Sequence, residues 1–409
     1  MKRIETVTVV GANGTMGCNA CAMFASFGNA KVYMISRDIQ KSRNAIDKAI
    51  KSVRAESIRK NLIACDYTHL EECIKDSDLV FESVAEDMSI KKSVTEQIGK
   101  FAKDDTIIAT GTSGLSIEEL SNSLPDKLKQ NYCGMHFFNP PYSMPLLELI
   151  PCSKMSLDKI SSLKKYLEDV LIRCVVVSKD KPAFIANRIG FYFLNMALQY
   201  SEKYSKQGGI AYIDSIIGPF TGRAMTPCVT VDFVGLDVHK AIVDNIKVNT
   251  NDEHNNVFVL PNYVEKLIEE GKLGKKTGCG LFKTELTEDG KKLKYVYDIE
   301  STKYILANYS PTLFSKTMID YLSNGDYDLA FCFLKNDKSN EAVICREFLK
   351  AYIEYSLFVG QEVCDDLTFV DDAMATGFNW CPPLALSNIL FNTNYPTKYD
   401  YRSFFKAVK

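Results

Sequence analysis

The first 180 residues alternate between two hydrophobic periods. Short apolar runs rich in β-branched residues have the length of buried strands, and they occur at residues 7–10, 31–36, 62–65, 79–83 and 106–109. Between these runs, apolar residues recur every three or four positions, which is the period of an amphipathic helix. Strands that alternate with helices predict a parallel sheet with right-handed crossover connections.

A glycine-rich turn follows the first strand and opens the first helix. It reads Gly11-Ala12-Asn13-Gly14-Thr15-Met16-Gly17. Glycines at such a turn let the backbone approach a pyrophosphate at the positive end of the helix. The spacing is one residue longer in its first gap than the usual dinucleotide fingerprint, and the extra residue, Asn13, tolerates a left-handed backbone. We therefore predict an α/β Rossmann-type doubly wound sheet at the N-terminus, with candidate cofactor-binding residues Gly11, Asn13, Gly14, Thr15, Met16 and Gly17.

The end of the second strand bears on the choice of dinucleotide. NAD-specific domains place an acidic side chain there to bind the ribose 2′-hydroxyl, whereas this strand ends in Ser36 and Arg37. Both side chains can donate hydrogen bonds to a 2′-phosphate, and a guanidinium can do so with two nitrogens. Asp38 is the competing candidate for the acidic position. The pattern favours NADP(H) and leaves NAD(H) possible.

The pattern after Arg188 changes to long amphipathic helices, which predicts an all-α C-terminal region. We assign a dinucleotide-binding domain to residues 1–188, a helical domain to 189–284, a hairpin linker to 285–299 and a second helical domain to 300–409. The second helical domain resembles a degenerate repeat of the first, because Asp214 with Pro227 thirteen residues on parallels Asp371 with Pro383 twelve residues on.

Four histidines are present, and one of them has unusual surroundings. His69, His239 and His254 lie in polar stretches and are expected at the surface. His136 lies in the apolar segment 134–138, and Glu148 interrupts a second apolar segment twelve residues on. A buried carboxylate without a partner is costly. A bond between His136 and Glu148 would remove that cost and fix the imidazole tautomer, as a general acid or base requires.

Composition narrows the class of protein further. Lys and Arg total 49 against 51 for Asp and Glu, a net charge of −2, which argues against a nucleic-acid binder. No apolar run approaches the roughly 18 residues of a membrane helix, and the first strand begins too early for a signal peptide. Thirteen cysteines without such a signal indicate reduced thiols and a cytoplasmic location. Cys18 and Cys21 lack a second cysteine pair, so no metal site is expected.

Six short motifs, in order along the first 285 residues, resemble those of the 3-hydroxyacyl-CoA dehydrogenases. They are Gly14-Thr15-Met16-Gly17, Glu82-Ser83-Val84-Ala85-Glu86, Thr112-Ser113-Gly114-Leu115-Ser116-Ile117, His136-Phe137-Phe138-Asn139-Pro140, Phe184-Ile185-Ala186-Asn187-Arg188 and Leu273-Gly274-Lys275-Lys276-Thr277-Gly278. Any one of them could arise by chance, whereas the ordered series is specific.

The resemblance implies roles for the matching residues. His136 corresponds to the family's catalytic base and Glu148 to the carboxylate that orients it. Ser113 corresponds to the serine that contacts the substrate oxygen at C3, and Asn187 to the asparagine that holds substrate and histidine. Glu86 ends a motif beside the cofactor and joins the candidate cofactor-binding residues. The implied reaction interconverts an L-3-hydroxyacyl-CoA and a 3-oxoacyl-CoA.

The sequence departs from the family pattern at four positions, and other functions stay open. Besides the additional Asn13, Asn19 stands where the family often has another glycine, Gly111 replaces an asparagine and Gly114 replaces a serine. One alternative is a dehydrogenase of a small hydroxy acid, which would need additional cations in the cleft. Another is a non-catalytic nucleotide-binding relative.

The resemblance also implies partners. Family members with two helical domains in one chain use the second to imitate a dimer partner, which predicts a monomer, or a homodimer through another surface. The expected substrate is an acyl-CoA thioester, with no nucleic-acid or membrane partner. No enoyl-CoA hydratase segment fits in the remaining length, so a bifunctional fatty-acid oxidation enzyme is not expected.

Overall fold

The computed structural model describes residues 3–287, 289–307 and 310–408. Glu288, in the predicted hairpin linker, and Asn308, Tyr309 and Lys409, in the predicted second helical domain, lie outside the described residues, as do Met1 and Lys2. The chain forms two compact units. The first extends to Phe184 and includes Val363–Asp365, and the second comprises Ile185–Glu362 and the chain from Asp366 onward.

The first unit is built on an eight-stranded sheet with the order β3-β2-β1-β4-β5-β6-β7-β8. Its strands are β1 (Thr6–Val10), β2 (Lys31–Ser36), β3 (Leu62–Asp66), β4 (Leu79–Glu82), β5 (Ile107–Thr110), β6 (Tyr132–Phe137), β7 (Leu146–Pro151) and β8 (Cys174–Val177). Strands β1 to β6 pair in parallel, whereas β7 pairs antiparallel with β6 and parallel with β8. The predicted Rossmann-type sheet is confirmed, and β8 is a strand that the sequence pattern did not reveal.

The helices of this unit connect the strands. They are α1 (Thr15–Ser26), α2 (Ile39–Val53), α3 (Leu70–Asp76), α4 (Met88–Phe101), α5 (Ile117–Ser121), α6 (Asp126–Lys129) and α7 (Leu157–Asp169). The core between helices and sheet is apolar; Phe24, Phe81 and Phe137 meet edge to face with ring centroids 5.6–6.5 Å apart. Most residues of the parallel strands are buried, because helices cover both faces of such a sheet.

The second unit is mainly helical, with a small sheet inserted. Its helices are α8 (Ala186–Lys203), α9 (Gly209–Ile216), α10 (Pro227–Val234), α11 (Leu236–Asn249), α12 (Asn262–Glu269), α13 (Leu313–Ser323), α14 (Tyr327–Asn336), α15 (Asn340–Val363), α16 (Phe369–Gly377) and α17 (Pro383–Phe391). The strands β9 (Phe282–Leu286), β10 (Lys292–Asp298) and β11 (Lys303–Leu306) form an antiparallel sheet. Among the described residues, none of the helices combines the length and apolar content that crossing a bilayer requires.

Two boundaries differ from the sequence-based assignment. The units divide after Phe184 instead of Arg188, because α8 begins at Ala186 and carries Asn187 and Arg188 in its first turn. The predicted linker at 285–299 is part of a three-stranded sheet, because β11 adds to the hairpin of β9 and β10.

The predicted surface position of His239 is wrong. His239 on α11 is completely buried, and its Nε2 lies 3.0 Å from the Oδ1 of Asn195. The Nδ2 of Asn195 donates to the carbonyls of Val257 and Val259, so its Oδ1 accepts from His239. The other ring nitrogen of His239, the unprotonated Nδ1, has no hydrogen-bond partner among the described residues. Burial disfavours the imidazolium and lowers the pKa of His239 from 6.5 to about 3.

This lowered pKa predicts a loss of stability in mild acid. Below pH 6.5 the His239 imidazole is protonated in the unfolded chain but stays neutral in the folded chain. The contribution of His239 to the free energy of unfolding is therefore fully present above pH 6.5 and decreases as the pH falls. Between pH 7.5 and pH 5, His239 should remove about 2 kcal/mol from the free energy of unfolding. Urea denaturation of His239→Gln should show a smaller pH dependence by about this amount. Equal slopes for variant and wild type would contradict the prediction.

Candidate active site

A cavity of about 380 Å³ lies at the carboxyl ends of the parallel strands in the first unit. Five of the predicted cofactor-binding residues line it, namely Gly11, Asn13, Gly14, Ser36 and Arg37. Ser83, Val84 and Ala85, from the motif that ends β4, line it as well. Tyr67, Ile90 and Val94 complete the lining, and no sequence motif pointed to these three residues. The remaining candidates, Thr15, Met16, Gly17 and Glu86, belong to the first turn of α1 and the loop after β4 and do not line the cavity.

The three glycines of the turn have different reasons to lack a side chain. Gly11 has a φ of +89°, and a Cβ there would lie 2.3 Å from the carbonyl oxygen of Ser83. A Cβ at Gly17 would lie 2.4 Å from the carbonyl oxygen of Gly11, so this glycine lets α1 pack against the turn. Among the described atoms, the nearest to a Cβ at Gly14 would be the carbonyl oxygen of Gly11, at 3.4 Å. The space before the first turn of α1 is therefore open to a ligand, as an anion at a helix N-terminus requires.

Three side chains follow one another at the end of β2. The Ser36 hydroxyl is buried beside the cavity and has no hydrogen-bond partner within the described parts of the chain. Arg37 also lines the cavity. The Asp38 carboxylate instead accepts the backbone N–H of Gln40 at 2.6 Å and caps the N-terminus of α2. An unpaired buried hydroxyl points to a missing hydrogen-bonding ligand.

A buried lysine links two carboxylates beside the cavity. The Lys91 ammonium on α4 lies 2.9 Å from the Glu82 carboxylate at the end of β4 and 3.5 Å from that of Glu86. Lys91 and Glu82 are each 1% exposed. Glu82 also accepts the Thr110 hydroxyl at 2.6 Å and the backbone N–H of Val84 at 2.6 Å. These donors compensate a carboxylate that has almost no contact with water.

Glu86 fixes the loop that follows β5. Its Oε1 accepts the Thr112 hydroxyl at 2.6 Å and the backbone N–H of Ser113 at 2.7 Å. Thr110, the last residue of β5, is in register with Gly134 of β6, two residues before His136. Ser113 follows β5 and His136 lies near the end of β6, so the two residues belong to the carboxyl ends of neighbouring strands.

His136 and Glu148 form a buried pair across two strands. They are opposite each other in the antiparallel register of β6 and β7, and His136 Nδ1 lies 2.6 Å from Glu148 Oε2. The exposed fraction of the side chain is 7% for His136 and zero for Glu148. Because a carboxylate only accepts, this bond places a proton on Nδ1 and leaves Nε2 for another partner. The rings of Phe138 and Phe184 lie 4.7 and 5.7 Å from the imidazole.

Asn187 belongs to the second unit, where it is the second residue of α8 and is buried. Its neighbour Arg188 anchors the start of this helix. The Arg188 guanidinium lies 3.0 Å from the Asp252 carboxylate and 2.7 Å from that of Glu362 on α15, and Asp252 also accepts the Tyr355 hydroxyl at 2.6 Å. This network fixes the first turn of α8 and with it the backbone of Asn187.

Comparison with known families now adds to this geometry. Residues 6–181 match the family model of the 3-hydroxyacyl-CoA dehydrogenase NAD binding domain, and residues 184–284 match that of the 3-hydroxyacyl-CoA dehydrogenase C-terminal domain. The chain belongs to the 3-hydroxyacyl-CoA dehydrogenase family. The resemblance seen in the six motifs is therefore confirmed, and the two matched ranges meet within three residues of the boundary between the compact units.

Individual family members show how far the similarity extends. A probable 3-hydroxyacyl-CoA dehydrogenase of Bacillus subtilis is 29% identical over 415 residues, covering 93% of this chain, and the chain spans only about half (50%) of its length. A probable 3-hydroxyacyl-CoA dehydrogenase of Deinococcus radiodurans is 32% identical over 69% of this chain and 83% of its own. The crystal structure of Escherichia coli 3-hydroxybutyryl-CoA dehydrogenase shares the fold over 95% of this chain and 92% of its own, with a TM-score of 0.72 and 20% identity.

The buried lysine of this site gives a prediction about stability. Replacing Lys91 by Met leaves the Glu82 carboxylate buried without its cation, so the free energy of unfolding should fall by about 3–5 kcal/mol. The matched control is Lys92→Met, which removes an exposed pair with Glu119 and should cost less than about 1 kcal/mol. Denaturant unfolding of the two variants measures both values. Similar losses for both variants would contradict the buried-pair interpretation.

Proposed function

We propose that the chain interconverts L-3-hydroxyacyl-CoA and 3-oxoacyl-CoA with a nicotinamide dinucleotide, and that His136 is the general acid and base. The observation that carries this proposal is the buried bond of 2.6 Å between His136 Nδ1 and Glu148 Oε2. An imidazole held in one tautomer beside apolar rings suits proton transfer at Nε2. Family membership supports the substrate class, an acyl-CoA thioester.

The proton would move between substrate and imidazole. In oxidation, Nε2 of His136 takes the proton of the C3 hydroxyl while hydride leaves C3; in reduction, the protonated imidazole returns it to the forming alkoxide. The dinucleotide, when bound, supplies or accepts the hydride. Glu148 does not exchange the proton but stabilises the imidazolium that forms after transfer. Phe138 and Phe184 limit the access of water to the ring, which strengthens this electrostatic interaction.

Ser113 and Asn187 would bind the reacting end of the substrate. The Ser113 hydroxyl is proposed to donate to the oxygen at C3, where negative charge develops during reduction. The bond from its backbone N–H to Glu86 holds the Ser113 backbone in place. Asn187 is proposed to help hold substrate and histidine, as the family resemblance implies, on a helix whose first turn is fixed by Arg188.

The cofactor site fits a dinucleotide, and we propose that NADP(H) is favoured while NAD(H) remains a possible cofactor. The open space at Gly14 accommodates phosphate groups, and the Ser36 hydroxyl, which has no hydrogen-bond partner among the described residues, can bond to a polar ligand atom. The Asp38 carboxylate caps α2, and this bond competes with binding of the ribose 2′-hydroxyl. Ser36 and Arg37 both line the cavity and can bind a 2′-phosphate.

We also propose that residues 300–409 are a degenerate repeat of the first helical domain. Asp214 on α9 accepts the backbone N–H of Cys228 at 2.9 Å, near the start of α10. Asp371 on α16 accepts the N–H of Leu384 at 2.7 Å, near the start of α17. Each carboxylate also accepts a threonine hydroxyl, and burial raises the pKa of both to about 6.

The long helices α8 and α15, one from each proposed copy, pack against each other through the rings of Tyr192 and Tyr355, which are stacked with centroids 3.9 Å apart. This packing supports a monomer, or a homodimer through another surface.

The proposed base is tested by His136→Gln. With acetoacetyl-CoA and reduced cofactor, kcat should fall by about 10²- to 10⁴-fold, the usual contribution of a general acid, while the KM values change little. Glu148→Gln should also lower kcat. A glutamine amide can donate as well as accept a hydrogen bond, so it does not hold the proton on Nδ1 of His136 as the carboxylate does. The matched control is His69→Gln, which removes an exposed histidine–aspartate pair with Asp66 and should keep wild-type kcat. A His136→Gln variant with wild-type kcat would overturn the assignment.

The proposed cofactor preference is tested by Arg37→Ala. If the guanidinium binds the 2′-phosphate, the affinity for NADPH should fall by about 1–3 kcal/mol, roughly five- to 150-fold, and the affinity for NADH should not change. Titration of the cofactor fluorescence measures both dissociation constants. Arg43→Ala, an exposed arginine on α2 outside the cavity, is the control. A wild type that binds NADH more tightly than NADPH would return the choice to NAD(H).

A further inference from the structure

A hydrogen bond connects the helix of the glycine turn to the loop that follows His136. The side-chain Nδ2 of Asn19 on α1 donates to Oδ1 of Asn139, with a distance of 3.1 Å between residues 120 positions apart in the chain. Asn19 lies one helical turn after Thr15, the first residue of α1, and Asn139 lies three residues after His136. Both partners belong to the first compact unit.

Position 19 is one of the four at which the sequence departs from the family pattern. A glycine there has no side chain and cannot make this bond. The backbone around Asn19 is ordinary helix, so the residue is not required for the turn itself. What distinguishes Asn19 from a glycine is therefore the hydrogen bond of its amide to Asn139.

The chemistry of the two amides gives the bond a direction. A side-chain amide has one oxygen, which accepts, and one NH₂ group, which donates. Because Asn19 donates to Oδ1 of Asn139, the oxygen of Asn139 is turned towards α1. The NH₂ group of Asn139 is then turned away from α1. With Gly at position 19, the Asn139 amide could rotate, and either end could face a ligand.

We propose that Asn19 is a positioning residue for the nicotinamide half of the dinucleotide. Asn139 is only three residues from His136, beside which the nicotinamide must lie if hydride and proton leave the same carbinol. By fixing the Asn139 oxygen, Asn19 makes Asn139 a hydrogen-bond donor towards acceptor oxygens of the nicotinamide riboside. The inference rests on the proposed function, because that function places the nicotinamide beside His136.

The test compares Asn19→Ala and Asn19→Asp with wild type. Asn19→Ala frees the Asn139 amide, so the dissociation constant of the preferred dinucleotide should rise roughly 3- to 10-fold, the scale of one hydrogen bond. Asn19→Asp should weaken binding more, because a carboxylate accepts and would turn the Asn139 NH₂ group towards α1. Affinity for the adenine half alone, measured with adenosine 2′,5′-bisphosphate or ADP, should not change in either variant.

A matched control exists at the other end of the sheet. The Nδ2 of Asn61 donates to Oδ1 of Asn29 at 3.2 Å, and these residues precede β3 and β2, at the amino ends of the strands. Asn61→Ala removes this bond and a longer one from the same Nδ2 to the Ala25 carbonyl at 3.4 Å, both away from the cavity, and should leave cofactor affinity unchanged.

The outcomes separate this inference from the proposed function. An unchanged or improved dinucleotide affinity in Asn19→Ala, or an equal loss for the adenine fragment, would overturn the role of Asn19 alone. A wild type that binds the dinucleotide but does not reduce acetoacetyl-CoA would overturn the proposed function, while the comparison of affinities would still decide whether Asn19 orients that half of the ligand. A wild type that binds neither dinucleotide would overturn both.

Discussion

The bond between His136 and Glu148 is the constraint on which the antiparallel pairing of β6 and β7 depends. Glu148 has no exposed surface, and the desolvation of a carboxylate is compensated only if a donor is in place when the strands pair. The two residues are opposite each other in the antiparallel pairing of β6 and β7. A slip of one residue would place Glu148 against an apolar neighbour and turn every side chain of β7 to the other face. The same interaction therefore fixes both the register of β7 against β6 and the tautomer of the imidazole.

A second buried carboxylate, Glu82, is likewise compensated by a buried donor, Lys91. Glu82 ends β4, and Lys91 from α4 closes over it, while Thr110 at the end of β5 supplies a further donor. These groups and the His136–Glu148 pair all lie towards the carboxyl ends of a sheet whose core is apolar. Ligands of open α/β sheets bind at this edge. Both buried pairs thus lie at the edge of the sheet where a ligand would bind. There they hold in place the donors and acceptors that such a ligand can contact.

Local sequence predicted the parts of this unit whose periodicity is simple. The second strand was predicted at the observed residues, and two polar residues in apolar strands sufficed to predict the pairing of His136 with Glu148. Lys91 was missed, because it is followed by Lys92 and Ser93 and so has the composition of a solvated helix face. His239 was misplaced for the same reason, since Asp237 and Lys240 flank it on α11. In both cases tertiary packing, which single-sequence periodicity does not contain, decided which side of the helix is buried.

The proposed helical repeat shows which part of a diverged sequence can still be recognised. Apolar packing residues can be exchanged for others of similar volume at modest cost, so their pattern fades between two copies. A buried carboxylate that accepts a backbone N–H at the start of the next helix must keep both its position and its donors. Asp214 and Asp371 each accept the N–H of the residue that follows the proline of the next helix. Each also accepts a threonine hydroxyl, from Thr226 just before that helix in the first case and from Thr397 beyond it in the second. On the proposed repeat, the spacing from aspartate to proline persists because it sets the distance between that carboxylate and the helix it caps.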